Sequence, residues 1–179
     1  MKQERQINFE DQHSNSKQSQ QNINDNRYPI VFILDRVSNP RNIGSLFRLA
    51  EAARIEHIYI FGALESMQSS KFNRAARSTE KYIPFTLIND WNELQKLKEK
   101  YSWIGLEITT QSIPYYQYQP SGPTAMVIGS EKYGLSEAMI AACEKCIHVP
   151  MLGLKTSMNV AVATGIATYK WLENFGFDR

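Results

Sequence analysis

The stretch Tyr28–Gly62, YPIVFILDRVSNPRNIGSLFRLAEAARIEHIYIFG, changes its apolar period twice, and that change decides the fold. Ile30 to Leu34 is an unbroken apolar run, the pattern of a strand buried on both faces of a sheet. Asn39 then offers a side-chain oxygen to the free N–H groups that open a helix, and Pro40 suits the first helical position, where its missing N–H is not needed. Ile43, Leu46, Phe47, Ala50 and Ala53 follow at helical spacing. From His57, HIYIFG reads as a second strand.

The alternation continues along the chain. SSKFNRAARSTEKY, from Ser69, reads as a short basic helix or loop, and Tyr82 to Ile88 as a strand. Asp90 and Glu93 have the spacing of a capping box, which predicts a helix to about Lys100. YSWIGLEI and TAMVIGS read as strands, LSEAMIAACEK as a helix and CIHVPM as a short strand, before a closing helix over Ser157 to Asn174. Strands alternating with helices imply an α/β fold, an open parallel sheet with helices on both faces. Such sheets bind ligands beyond the C-terminal ends of their strands, so the informative residues should follow strands. No P-loop and no G-x-G-x-x-G fingerprint occurs, which argues against an ordinary dinucleotide-binding site.

With 179 residues, 42% of them hydrophobic, the chain suits one compact domain over 28–179. Residues 1–27, MKQERQINFEDQHSNSKQSQQNINDNR, bury too little apolar surface to offset their ordering entropy and read as a flexible polar tail. The net charge of +2 is compatible with a nucleic-acid partner without arguing for one. No apolar run is long enough to span a membrane and no apolar signal core opens the chain, so a cytoplasmic location is expected. Cys143, Cys146 and His148 in CEKCIH are soft ligands, but a structural zinc site wants four, and His13 and His57 are remote in sequence. No metal is expected.

Three stretches after three strands carry the chemistry. After the first come Asn42, Gly44 and Arg48, with Arg48 two turns beyond Arg41 on one helix. Taken singly these read equally well as a surface arginine and a glycine that permits close packing. After TAMVIGS comes the turn Gly129-Ser130-Glu131, then Gly134-Leu135-Ser136. Gly129 would let a ligand approach the backbone, Gly134 suggests a positive φ, and Ser136 can cap the next helix. After the short strand, Val149-Pro150-Met151 leads through a glycine turn to Ser157-Met158-Asn159-Val160. Ser157 and Asn159 can cap the last helix, and capping does not exclude a role in a site.

Together, in this order, the three stretches resemble the motifs of the SpoU/TrmH family of RNA ribose 2'-O-methyltransferases, in the SPOUT superfamily. The resemblance covers Tyr28 to about Phe175, with methionine at 158 where the family pattern has leucine. It implies an α/β domain whose C-terminal part is tied in a trefoil knot, S-adenosylmethionine as cofactor, an RNA substrate and a homodimer whose sites draw on both chains. The cofactor loops would supply Leu106, Glu107, Ile128, Gly129, Ser130, Val149, Met151, Ser157 and Met158. Arg48 would position the substrate phosphate and 2'-hydroxyl and assist proton removal; Asn42 would orient it, and Glu131, Ser157 and Asn159 would shape the site. Val162, Ile166, Tyr169 and Trp171 would supply part of the dimer interface. Arg36, Arg41, Lys71, Arg74, Arg77 and Lys81 would hold RNA phosphates, although a solvated basic face explains the same residues. The absence of a separate RNA-binding domain favours tRNA over rRNA by analogy. Two other readings stand beside this one: a non-catalytic RNA-binding or assembly factor of the same fold, and a SPOUT enzyme that methylates a base.

Overall fold

A computed structural model describes residues 26–62 and 70–176. The elements in chain order are β1 (Tyr28–Asp35), α1 (Pro40–Ala52), β2 (Ile55–Phe61), α2 (Ser70–Ala76), β3 (Phe85–Ile88), α3 (Trp91–Gln95), β4 (Ser102–Leu106), β5 (Ile113–Pro114), β6 (Thr124–Gly129), α4 (Glu137–Ala142), β7 (Lys145–His148) and α5 (Val160–Leu172). The strands form one seven-stranded sheet in the order β3-β2-β1-β6-β4-β7-β5. Every pairing is parallel. The polar tail expected over 1–27 falls almost wholly outside the described residues. At its end, Arg27 donates to the carbonyls of Ile55 at 2.9 Å and Tyr82 at 2.7 Å.

The unbroken apolar run of β1 is explained by two cores. Ile30, Phe32 and Leu34 face a cluster with Ile43, Leu46 and Phe47 of α1, Phe72 of α2 and Trp171 of α5. Val31 and Ile33 face the other side, with Leu94 of α3, Met139 of α4 and Trp103 of β4. Burial on both faces removes the polar alternation that marks a one-sided strand.

Helix boundaries follow their caps. Asn39 accepts from Arg41 N at the start of α1, with Pro40 the first helical residue. The Asp90 side chain accepts from Glu93 N at 2.8 Å, but α3 stops at Gln95 and a 3-10 turn, Lys96–Glu99, replaces the remainder of the expected helix. This tighter winding delivers Tyr101 and Ser102 to β4. The extended start expected at Tyr82 is a turn, and β3 begins only at Phe85. The helical spacing read through Lys71, Arg74, Arg77 and Lys81 ends at Ala76, because Arg77 and Ser78 are left-handed (φ 49° and 68°) and Lys81 sits in a separate 3-10 turn. The last helix starts at Val160. Its cap is Asn159, whose Oδ1 accepts from Ala161 N and Val162 N, so Ser157 lies outside the helix. Among the described residues no helix is long and apolar enough to cross a membrane.

Gly44 marks the closest approach of α1 and α2. A Cβ there would lie 2.6 Å from Ala75 Cβ and 2.7 Å from Ala76 N, inside hard contact. Gly44→Ala is therefore expected to destabilise the protein by about 1–3 kcal/mol in urea unfolding. Adding Ala75→Gly should recover only part of that, since the clash with backbone N remains.

Candidate active site

β1, β6, β4 and β7 lie side by side, and the segments that leave their C-terminal ends bound a cavity of about 680 Å³. The chain leaves β1 toward β2 on one side of the sheet and returns to fill β6, β4 and β7 on the other, so the cavity sits near a switch in strand order.

Three sequence-distant segments meet there through one side chain. Asn42, in the first turn of α1, donates from Nδ2 to Glu131 Oε1 at 2.8 Å and accepts at Oδ1 from Asn159 Nδ2 at 3.0 Å. Glu131 also accepts from the backbone N–H groups of Asn39 and Ser38, both at 3.3 Å. Asn159 continues the chain by capping α5. An amide donates at one end and accepts at the other, which suits the place between a carboxylate and a second amide. The Glu131 charge lies at the positive N-terminal end of α1, where free N–H groups and the helix dipole favour an anion.

The loop after β6 is pinned from within. Ser130 N donates to Gly134 O at 3.1 Å and Gly134 N to Ser130 O at 2.8 Å, which folds the segment back on itself. Gly134 has φ 66°, and a Cβ on it would run into the Glu107 carboxylate. At Gly129 the space a Cβ would occupy is filled by the Gly134–Leu135 backbone of the same loop, so the turn itself requires glycine there. Glu107, at the end of β4, accepts from Leu135 N at 3.0 Å and Ile108 N at 2.9 Å and so ties the β4 and β6 loops together.

Of the residues singled out from sequence, Asn42, Leu106, Glu107, Gly129, Ser130, Glu131, Val149, Met151, Ser157, Met158 and Asn159 all line the cavity. Ile128 and Arg48 do not. Ile128 is fully buried in the core behind the loop. Arg48 is exposed on α1, six residues beyond Asn42, a step that turns it well away from Asn42's side of the helix. Arg36, Arg41, Lys71, Arg74, Arg77 and Lys81 are exposed. Trp171, expected at an interface, is fully buried and packs 5.5 Å from the Tyr118 ring, whereas Val162, Ile166 and Tyr169 form an exposed stripe on α5.

Sequence reasoning missed Asp35. It is 0% exposed at the end of β1, accepts from Ser136 N at 2.9 Å and Ser136 Oγ at 3.0 Å, and pairs with Arg36 Nε at 2.9 Å. An acid closing an otherwise apolar strand was the available signal. Tyr133 and Lys132, treated as spacers within the second motif, line the cavity too.

The cysteines are not arranged as a metal site. Among the described residues no group of three His, Cys, Asp or Glu could hold an ion. Burial, with the neighbouring Cys146 adding to it, pushes the Cys143 thiol up to about 12. Burial also raises Cys146. Both therefore stay protonated near neutral pH, the less reactive and less metal-binding form. His148 Nδ1 shares a 2.9 Å hydrogen bond with Ser112 Oγ.

Asp35 generates a direct expectation. Asp35→Ala removes the acceptor of the Ser136 N–H and hydroxyl and should lower stability by about 2–3 kcal/mol in urea unfolding. Ser136→Ala alone should cost less, since only the hydroxyl partner is lost.

Comparison with known proteins agrees with this geometry. The chain matches the SpoU rRNA Methylase family over residues 29–169. It is 30% identical over 143 residues to the 23S rRNA (guanosine-2'-O-)-methyltransferase RlmB of Shewanella oneidensis, covering 79% of this chain and 58% of that protein. Its fold is similar to the TrmH/SpoU tRNA modifying enzyme of A. aeolicus, with TM-score 0.77, 21% identity and coverage of 88% of this chain and 82% of that one. It is also similar to the SpoU methyltransferase AviRb of Streptomyces viridochromogenes in complex with the cofactor AdoMet, with TM-score 0.75, 23% identity and coverage of 81% and 60%. The chain spans between 40% and 61% of the length of the curated relatives it matches. The match to the family extends over most of the folded chain and includes all three strand-end segments that meet at Asn42: the protein belongs to the SpoU rRNA methylase family.

Proposed function

We propose that the protein is an RNA methyltransferase that uses S-adenosylmethionine to methylate a ribose 2'-hydroxyl. The observation that carries this reading is the convergence of Asn42, Glu131 and Asn159 on one cavity at the strand ends. The cavity suits the donor. Leu106, Val149, Met151 and Met158 give it apolar walls, while Glu107 and Glu131 bring negative charge to a site that would hold a sulfonium cation. When bound, S-adenosylmethionine supplies a methyl group on positively charged sulfur, a good leaving group.

The protein's own task is then to hold a weak nucleophile in line and to help remove its proton. Asn42, fixed at both ends by Glu131 and Asn159, presents a rigid wall. Ser157 is exposed at the rim, where its hydroxyl is free to orient the ribose. Arg48 holds the phosphate beside the reacting ribose and assists proton loss by its charge. A guanidinium stays protonated in proteins, so its part is positioning and charge stabilisation.

Arg48 does not line its own chain's cavity, which supports a site completed by a second copy in a homodimer. The stripe of Val162, Ile166 and Tyr169 on α5 is a face such a copy would cover. It adjoins α1, because Leu49 lies 3.8 Å from where a Gly165 Cβ would be. Insertion of β6 between β1 and β4, and of β7 between β4 and β5, supports a C-terminal trefoil knot, since late segments enter gaps between strands laid earlier. We read the folded unit as a single domain over 28–179, preceded by the polar segment. Exposed Arg36, Arg41, Lys71, Arg74, Arg77 and Lys81 would meet RNA phosphates. The name of the RlmB relative draws the substrate toward guanosine in ribosomal RNA; that of the A. aeolicus enzyme keeps tRNA beside it. Either substrate supports a cytoplasmic location.

The test is methyl transfer from labelled S-adenosylmethionine to transcribed 23S rRNA and, separately, transcribed tRNA, followed by nucleoside mass spectrometry. A 2'-O-methyl nucleoside in one pool is the expected result. A methylated base, or cofactor binding with no transfer to either RNA, would replace this reading with the base-methylating or non-catalytic alternative. Arg48→Ala should lower kcat at least about 100-fold with the calorimetric Kd for S-adenosylmethionine little changed.

A further inference from the structure

We propose that Tyr133 and Lys132 form a nucleobase-stacking subsite at the mouth of the cavity. The inference rests on the methyltransferase reading and adds where the substrate's base goes. Tyr133 is 71% exposed, an unusual position for a large ring on a tight turn. The turn is rigid: Ser130 and Gly134 exchange backbone hydrogen bonds at 3.1 and 2.8 Å, and Lys132 N donates to Ser130 Oγ at 3.4 Å. With the backbone fixed, only the two χ angles of Tyr133 remain to be ordered when a base stacks on it. Lys132 Nζ lies 4.8 Å from the ring centroid on one side. At this exposure the opposite side of the ring is open to a flat partner. Both side chains line the cavity beside Glu131.

Nucleic-acid chemistry supplies the occupant. A ribose presented to a concave site from a single-stranded loop or bulge carries an unstacked base, and an aromatic side chain can take the place of the missing base neighbour. An aromatic face accepts any base, and an ammonium beside it adds cation–π attraction and a contact for the neighbouring phosphate. Glu131 stays committed to Asn42 and the α1 N-terminus, so the subsite's positive charge comes from Lys132.

The experiment is steady-state kinetics of Tyr133→Ala and Tyr133→Phe with whichever of transcribed 23S rRNA or tRNA the wild type methylates. Tyr133→Ala should raise the KM for RNA between about 5-fold and about 100-fold, the range that losing one stacked base gives. The KM for S-adenosylmethionine, the thermal midpoint and the mass of the assembly should be unchanged, and Tyr133→Phe should behave as wild type. An unchanged KM for RNA overturns the subsite. A parallel rise in the KM for S-adenosylmethionine assigns the ring to the donor pocket and overturns it as well, as does a change in assembly mass, which would assign the ring to a contact between chains. A wild type that methylates neither RNA removes the methyltransferase reading itself, a result distinct from any of these.

Discussion

The structure around the cavity depends on one amide. Asn42 spans the gap between Glu131 and Asn159, and through them joins the N-terminus of α1, the loop after β6 and the N-terminus of α5. Each of these segments is polar backbone at the end of a buried strand or the start of a helix, where N–H groups lack intrahelical partners. The Glu131 carboxylate and the Asn159 side chain fill those vacancies, and Asn42 connects the two. Capping and site-building are therefore the same hydrogen bonds.

The sheet makes that connection possible. β1 and β6 are neighbours, so the first two motifs leave the sheet side by side, and Asp35 locks them again from the end of β1 by accepting from Ser136, the residue that caps α4. β7 enters beyond β4 and returns the chain to α5, which packs back on α1. Two glycines set the tolerances. Gly44 lets α2 close on α1, and Gly129 lets its own loop fold flat over the strand end. Three exposed features bear on the proposed site: the cationic residues of α1 and α2, an apolar stripe on α5, and an aromatic ring at the cavity mouth.

Much of this was legible in the sequence because burial on both faces leaves a continuous apolar run, as at Ile30–Leu34, and because Asn39-Pro40 and Ser136 announce helix starts in local chemistry. The motif residues were legible as a set, since the resemblance rested on their order and spacing. What was not legible is tertiary. Whether Ser157 or Asn159 caps the last helix depends on backbone geometry two residues apart. The direction of Arg48 depends on six residues of helical rotation beyond Asn42. The resemblance places Trp171 at an interface, whereas it is core because α5 packs that side inward. The clash that makes Gly44 necessary comes from a helix some thirty residues later in the chain.

If Asn42 joins the motifs into one unit, its bond to Asn159 must be energetically coupled, beyond what either side chain does alone. The direct measurement is a double-mutant cycle of Asn42→Ala and Asn159→Ala followed by urea unfolding, in which the loss of the α5 cap and of the Glu131 bond cancels. The account predicts a coupling of about 0.5–1.5 kcal/mol between the two changes. Strict additivity, with no coupling beyond experimental error, would contradict it, because the three segments would then hold their places independently.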